Sequence, residues 1–449
     1  MEWTMAPSAM AIAAEIVISE LTQNGHEAYW VGGCIRDELL GRPVHDMDIT
    51  TSALPEEVIA IFARSVPTGL AHGTVTVIQD GCGFEVTTYR TESGYVDHRR
   101  PEHVFFVNDV KEDLRRRDFT INAICCGLNG ELIDPFAGEK DLQLQVIRCV
   151  GDAEERFDED ALRMLRCIRF ASVLDFSIAK NTWRGLMRQR DKLAHIAVER
   201  VRAELDRIVE GPHPLRGLGM LARCELLARG KAPFPWTGTD MAAAAALTAG
   251  IGELESARLR WALLLHALKQ SAQEADVLLR AWTFSGTTRS GVVQVLRVRE
   301  AWTAALEGMP PDMGGMEGLR RQWIAAVLAF GVEAAEGWLS LLAILPAAAP
   351  TLPTAASSAF SIVESPEAAT APAAVNVQAA REWIAQMPLT SLSELEITGN
   401  ELLESLDKRP GPWLGKMLNG LLQAVASGDL PNDKQLLLLE AKRMDGHER

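Results

Sequence analysis

Over the first 150 residues, apolar positions recur with two different periods. Residues 9–21 repeat at helical spacing, and Tyr29-Trp30-Val31 is a short apolar run that suits a buried strand. Gly32-Gly33 then allows a tight turn, and residues 34–40 return to a helical period that Gly41-Arg42-Pro43 ends. Asp46-Met47-Asp48-Ile49-Thr50 reads as a strand, on which residues two apart share a face. Thr74 opens a β-branched run, Asp80-Gly81 makes a turn, and residues 84–89 return, which predicts a hairpin. The stretch 90–103 has little period and leads to the apolar run 104–107. From Asp152 onward the strand signal disappears, and helical periods cover residues 161–174, 199–209, 257–268 and 275–282. Residues 345–374 are rich in Ala, Pro, Ser and Thr and read as a linker or poorly ordered stretch, after which helical spacing resumes at Val377. The pattern predicts an α+β chain: a small mixed or antiparallel sheet, then helices only.

At 449 residues the chain exceeds the size at which one core stops growing, so two to four domains are expected. With 23% charged and 47% hydrophobic residues the usage is that of a soluble globular protein. The net charge of -15 opposes a polyanionic partner at first sight. Roughly half of the Lys and Arg, however, fall between Arg90 and Arg216. Groups at Arg115-Arg116-Arg117, at Arg163, Arg166 and Arg169, and at Arg184, Arg188 and Arg190 are either solvated helix faces or parts of a local basic groove. Seven cysteines with no C-x-x-C spacing, none matched to His72, His98 or His103 as zinc ligands, suggest a reducing compartment. The first helical run carries Glu15 and Glu20, lacks a basic leader and is too short to span a bilayer, so a cytoplasmic protein with no membrane contact is expected.

The candidate chemistry begins at Gly32 and Gly33. Glycines beside a helix start leave backbone amides open to a triphosphate, so the pair is the expected phosphate cradle. Asp46 and Asp48 on one strand face offer two hard oxygen ligands, and Mg2+ is commonly held by one or two carboxylates together with substrate phosphates. Glu85 points away from the faces of Phe84 and Val86, and it completes a two-metal clamp if its strand lies beside the first. A lone Asp-x-Asp is also common at surface turns, and a strand glutamate also commonly faces solvent.

Val31 to Thr50, with Arg116-Arg-Asp-Phe-Thr-Ile-Asn-Ala123, Asp134-Pro-Phe-Ala-Gly138 and Glu159-Asp-Ala-Leu-Arg163, resembles the class II tRNA nucleotidyltransferases, within the polymerase-β-like nucleotidyltransferase superfamily. The resemblance covers almost the whole chain. Pro410-Gly-Pro-Trp-Leu-Gly415 and Leu430-Pro-Asn432 resemble the bacterial subgroup, whereas Gly399-Asn400-Glu401-Leu402 departs from the family's Gly-x-Asp-Leu. It implies a catalytic head at 1–150, a base-reading neck at 151–211, a body at 212–344, a linker at 345–375 and a tRNA-binding tail at 376–449. It also implies template-independent addition of CCA to tRNA 3′ ends from CTP and ATP, with Mg2+ as cofactor and no obligatory protein partner. Asp46, Asp48 and Glu85 are the catalytic carboxylates of that scheme. Arg117 contacts triphosphate, Asp118 and Asn122 place the sugar and the base-reading helix, and Gly33, Arg36, Arg166 and Arg169 belong to the same nucleotide site.

Asp160 and Arg163, three apart, are expected on one helix face. A carboxylate only accepts hydrogen bonds and a guanidinium only donates them, which matches the amino group and ring nitrogen of cytosine and adenine and opposes uracil and guanine. A surface ion pair is the bland alternative, and Glu159 either orients Arg163 or caps the helix. Arg200 and Arg202 resemble a supporting neck motif or form an ordinary solvated face. In the family a flexible loop that takes part in switching from C to A occupies residues 90–103, which disfavours a CC-only enzyme. Full CCA addition and terminal-A addition both stay open. A poly(A) polymerase and a non-catalytic tRNA-binding chaperone are the remaining alternatives.

Overall fold

The structure is a computed structural model that describes residues 2–96, 100–232, 234, 237–307, 315–345 and 377–447. Its chain divides into two compact units, Met1–Ala242 and Ala243–Arg449. The strands of the first are β1 (Ala28–Val31), β2 (Ile49–Thr51), β3 (Ser65–Gly69), β4 (Thr74–Gln79), β5 (Cys82–Thr88), β6 (Arg90–Val96), β7 (Arg100–Phe106), β8 (Cys125–Cys126), β9 (Leu132–Ile133), β10 (Val146–Ile147) and β11 (Ser177–Ile178). Seven of them form one mixed sheet in the order β3-β4-β5-β2-β1-β8-β9. Its pairs are antiparallel except β2 with β5, which run parallel with Ile49 opposite Val86. The expected hairpin is present as β4 and β5, with Asp80 and Gly81 both at positive φ in its turn.

Helices α1 (Ser8–Gln23), α2 (Gly33–Leu39), α3 (Pro55–Ile61), α4 (Val110–Arg115) and α5 (Gly138–Gln143) accompany the sheet. Asp134 explains its own motif, because its two carboxylate oxygens accept from the Gly138 and Glu139 amides and cap α5. Val31, Tyr89, Val110, Leu114, Ala123, Cys125 and Val150 form a buried cluster that fastens α4 to the sheet. Next come α6 (Ala153–Glu159), α7 (Leu162–Val173), α8 (Lys180–Gln189), α9 (Val198–Glu210), α10 (Pro214–Cys224) and α11 (Gly238–Ala244). α7 is buried almost all round, against α9 and α10, as a helix enclosed by neighbours must be.

Two expectations need correction. Strand pairing does not stop at Asp152, since Ser177–Ile178 pairs in parallel with Val146–Ile147. The stretch 90–103 is not irregular: β6 and β7 pair antiparallel from Arg90 opposite Phe106 to Val96 opposite Arg100. Its charged residues hid a strand period that the cross-strand bonds enforce. Residues 97–99 lie outside the described residues.

The second unit is helical: α12 (Ala257–Ala267), α13 (Ala272–Ala281), α14 (Gly286–Glu307), α15 (Gly315–Phe330), α16 (Val332–Ile344), α17 (Val377–Ala385), α18 (Gly399–Leu406), α19 (Pro412–Ala426) and α20 (Lys434–His447). Leu402, Leu421, Val425, Leu437 and Ala441 centre a buried cluster on which Leu328 also packs. Glu401, the departure from the family pattern, closes a capping box at α18: its side chain accepts from the Thr398 amide at 2.8 Å, and the Thr398 hydroxyl accepts from its own amide. The stretch read as a linker falls, from residue 346 to 375, outside the described residues.

Candidate active site

Gly32 holds φ at +79°, a left-handed conformation that other residues resist, and its amide donates to the Ile124 carbonyl at 3.0 Å. A Cβ there would lie 2.9 Å from the Arg117 guanidinium. The turn therefore favours glycine for its backbone shape, and the bare Cα lets the Arg117 guanidinium come close. Gly33 opens α2 as expected, so Gly32, Gly33 and Arg117 come together.

The acidic pair corrects the sequence reading in one respect. β2 begins only at Ile49, so Asp46 and Asp48 lie in the extended approach to it, where the Asp48 carbonyl accepts from the Val31 amide at 3.0 Å. Alternation survives all the same: Met47 is buried, Asp46 is exposed and Asp48 is half-buried. Burial first, then the charges of Asp46 and Glu85, push the Asp48 carboxyl up to about 6, against the opposing pull of Arg117. Glu85 is exposed on β5 between buried Phe84 and Val86, one step before the Ile49 and Val86 register. Its strand does lie beside β2, and its charge reaches Asp48.

Asp46 and Glu85 lie near enough for their charges to act on Asp48, and hard carboxylate oxygens suit a divalent cation. Among the described residues no group of three His, Cys, Asp or Glu is close enough to hold an ion unaided. Two carboxylates completed by phosphate oxygens remain the arrangement that fits this donor set.

A pH dependence follows. With its carboxyl near 6 in the fold and lower in the unfolded chain, Asp48 binds a proton more readily when folded. Lowering the pH from 7.5 through 6 to about 4 should thus stabilise the metal-free protein by on the order of 2 kcal/mol through this group. Urea midpoints measured against pH for the wild type and Asp48→Asn should converge as pH falls; a pH-independent gap contradicts the assignment.

Arg117 belongs to a second constellation, which the sequence did not reveal. Asp113 is fully buried on α4 and accepts from Arg116 at 2.8 and 2.9 Å, from Arg117 at 3.4 Å, from the Thr50 hydroxyl at 3.2 Å and from the Arg90 amide at 3.3 Å. Burial pushes its carboxyl up, but Arg116 and Arg117 outweigh this and hold it below the usual carboxylate range. One carboxylate thus ties β2, the foot of the β6–β7 hairpin and the cation beside Gly32. Asp113→Ala should cost about 3–5 kcal/mol, since it strands partly buried guanidinium groups. A loss under about 1 kcal/mol in urea unfolding would show these contacts to be incidental.

Asp118 and Asn122 are buried together. Asn122 donates to Asp118 at 3.2 Å and accepts from Arg36 at 2.7 Å, and Arg166 donates to Asp118 at 2.7 Å. Burial would raise the Asp118 carboxyl, but Arg166, Asn122 and Arg163 overcome it and bring it to about 2. Arg36 also grips Asp37 with two bonds of 2.9 and 2.7 Å. Arg169 donates to buried Glu204 at 2.5 Å, linking α7 to α9.

The expected pairing of Asp160 with Arg163 needs the second correction. Asp160 does not share a helix with Arg163, because α6 ends at Glu159 and Asp160 has extended backbone at φ −136° and ψ 104°. Its Oδ1 accepts from the Leu162 amide at 3.0 Å and so caps the start of α7, while its Oδ2 accepts from Arg200 at 3.2 Å. Arg163 is 9% exposed and donates to Glu159 at 2.5 Å, to the Arg156 carbonyl at 3.1 Å and to the Arg116 carbonyl at 3.0 Å. Glu159 therefore orients Arg163 and does not cap. Arg200 donates to Asp160 from α9, whereas Arg202 pairs with Asp206 on its own helix.

Known proteins resemble this chain over most of its length. A family model described as the Poly A polymerase head domain matches residues 28–148, one described as a probable RNA and SrmB-binding site of polymerase A matches 175–229, and one described as tRNA nucleotidyltransferase domain 2, putative, matches 356–441. The CCA-adding enzyme of Bacillus mycoides is 37% identical over 426 residues, covering 94% of this chain and 96% of that protein. The CCA-adding enzyme of Lactiplantibacillus plantarum is 38% identical over 432 residues, covering 95% and 94%. The crystal structure of the Bacillus stearothermophilus CCA-adding enzyme in complex with CTP superposes with a TM-score of 0.78 at 33% identity, over 98% of this chain and 99% of that one. With a catalytic-head match and near full-length relatives of one kind, this chain belongs to the CCA-adding enzymes, a family of tRNA nucleotidyltransferases.

Proposed function

We propose that this chain extends the 3′ ends of tRNA with C, C and A, drawing on CTP and ATP, releasing pyrophosphate and using no nucleic acid template. The observation that carries the reading is the placement of Asp48, whose carbonyl accepts from Val31 just before the Gly32 turn on which the Arg117 guanidinium closes, with Glu85 on β5 beside β2. Asp46 and Asp48 would hold Mg2+, which when bound neutralises phosphate charge and makes the terminal ribose hydroxyl more acidic. Arg117, braced by Asp113 and seated on Gly32, meets the triphosphate, and its Nε is buried without a hydrogen-bond partner among the described residues. Arg36, Asn122, Asp118 and Arg166 form one chain of polar contacts that positions sugar and phosphates. Positioning and charge neutralisation supply most of the rate.

Base choice rests with Asp160 and Arg163. Asp160 has lone pairs left to accept from an amino group after its two protein bonds. Glu159 and two carbonyls fix the plane of the Arg163 guanidinium. Each unpaired polar group at such a site costs about 1–3 kcal/mol, so two mismatches with UTP or GTP give roughly two to four orders of magnitude of discrimination.

The finer partition into head (1–150), neck (151–211), body (212–344), linker (345–375) and tail (376–449) is part of this proposal. So is a cytoplasmic location, which the seven free cysteines favour. Among the described residues no helix is long and apolar enough to cross a membrane. The test is product length. Purified protein is given tRNAs lacking all of CCA, lacking only the final A, or complete, with CTP, ATP or both. Three added nucleotides on the first, one on the second and none on the third are expected. Addition of A alone identifies a terminal-A enzyme, and unlimited A addition a poly(A) polymerase. No addition at all overturns the reading.

A further inference from the structure

The three arginines of the nucleotide network share one neighbour. Phe170, on α7, is 5% exposed. The guanidinium carbons of Arg169, Arg36 and Arg166 lie 4.0, 5.1 and 5.4 Å from its ring centroid. Phe119 stands edge-on to the same ring at 5.7 Å, with the two planes 78° apart. Each cation has a polar partner of its own: Asp37 and Asn122 for Arg36, Asp118 for Arg166, and Glu204 for Arg169.

Three like charges crowded round one point repel, and a core residue that only filled space would be expected to draw aliphatic neighbours. The negative face of an aromatic ring attracts cations within about 6 Å, an attraction that strengthens as water is excluded. We infer that Phe170 is a positioning residue for nucleotide binding: its ring holds Arg36 and Arg166 in the planes from which they address the incoming nucleoside triphosphate. Arg36 comes from the helix that follows the Gly32 turn and Arg166 from α7, so the ring fixes two distant segments against each other. The inference deepens the proposed function and rests on its reading of Arg36 and Arg166 as nucleotide ligands.

The decisive experiment separates the charge distribution of the ring from its volume. In the full-length protein Phe170 is replaced by mono-, di- and trifluorinated phenylalanine, which keep the shape of the ring and progressively weaken its negative face. KM for CTP and for ATP should rise stepwise, by about two- to fivefold at the trifluoro step. The melting temperature and the KM for tRNA should stay constant. Phe170→Leu should raise the nucleotide KM at least as much, and Phe170→Tyr should restore it. A nucleotide KM that stays flat across the fluorinated series, in a preparation whose unsubstituted enzyme completes CCA ends normally, assigns Phe170 to packing alone and overturns the inference while the proposed function stands. Failure of the unsubstituted enzyme to add any nucleotide overturns the proposed function itself.

Discussion

Asp48→Ala should lower nucleotide incorporation by at least about a thousandfold and leave the protein folded and able to bind tRNA. The same substitution should raise the melting temperature by a few degrees at pH 7.5 when metal is absent. Both effects have one cause. Burial and the neighbouring charges of Asp46 and Glu85 push the Asp48 carboxyl up, so its ionised form costs stability, and the proposed metal binding would offset that cost. Asp46→Ala should lose activity to a similar degree, and it should also bring the Asp48 carboxyl down, since it removes the second-largest cause of the rise. Single-turnover incorporation and thermal melts of the same preparations check the pair of effects. Near-normal activity in both variants would remove the carboxylates from catalysis.

Arg163→Ala should act on choice more than on speed. Its guanidinium is turned inward and held by Glu159 and by the carbonyls of Arg156 and Arg116, so the side chain is aimed rather than mobile. Removing it takes away the donor that suits the ring nitrogen of cytosine and adenine and opposes the N–H of uracil and guanine. The preference for CTP over UTP, measured as the ratio of kcat/KM, should fall by about ten- to a hundredfold, corresponding to roughly 1–3 kcal/mol. KM for the triphosphate should change less, because Arg117 and the Asp118–Arg166 pair remain in place. A variant that weakens CTP and UTP equally would place Arg163 in general support instead.

What the sequence disclosed was whatever local backbone chemistry decides. Gly32 announces its turn because no other residue accepts that φ so easily, and the alternation of Asp46, Met47 and Asp48 survives although β2 starts later than expected. Two local signals misled. The acidic run Asp158-Glu159-Asp160 suits a continuing helix, yet Asp160 leaves the helix and uses its side chain as a cap, a role for which aspartate is equally suited. In residues 90–103 the pairing partner lies within the same charged stretch, and only the cross-strand bonds of β6 and β7 make it a hairpin. Asp113 and Phe170 were illegible for another reason. In sequence they are a helix acid and an apolar helix position, and their significance arises only where distant segments meet: Thr50, Arg90 and Arg117 around the carboxylate, and Arg36, Arg166 and Arg169 around the ring. No local period encodes such meetings.

In the proposed mechanism, Asp46 and Asp48 anchor the metal-bound triphosphate of a nucleotide whose base edge Asp160 and Arg163 read. A crystal structure of the full chain with Mg2+ and a non-hydrolysable CTP analogue tests it most directly. Metal density bridging the two carboxylates and the phosphates, Arg117 on the triphosphate, and the cytosine amino group and ring nitrogen within hydrogen-bond reach of Asp160 and Arg163 are expected. A triphosphate bound away from Asp46 and Asp48, or a base edge that touches neither residue of the reading pair, would contradict it.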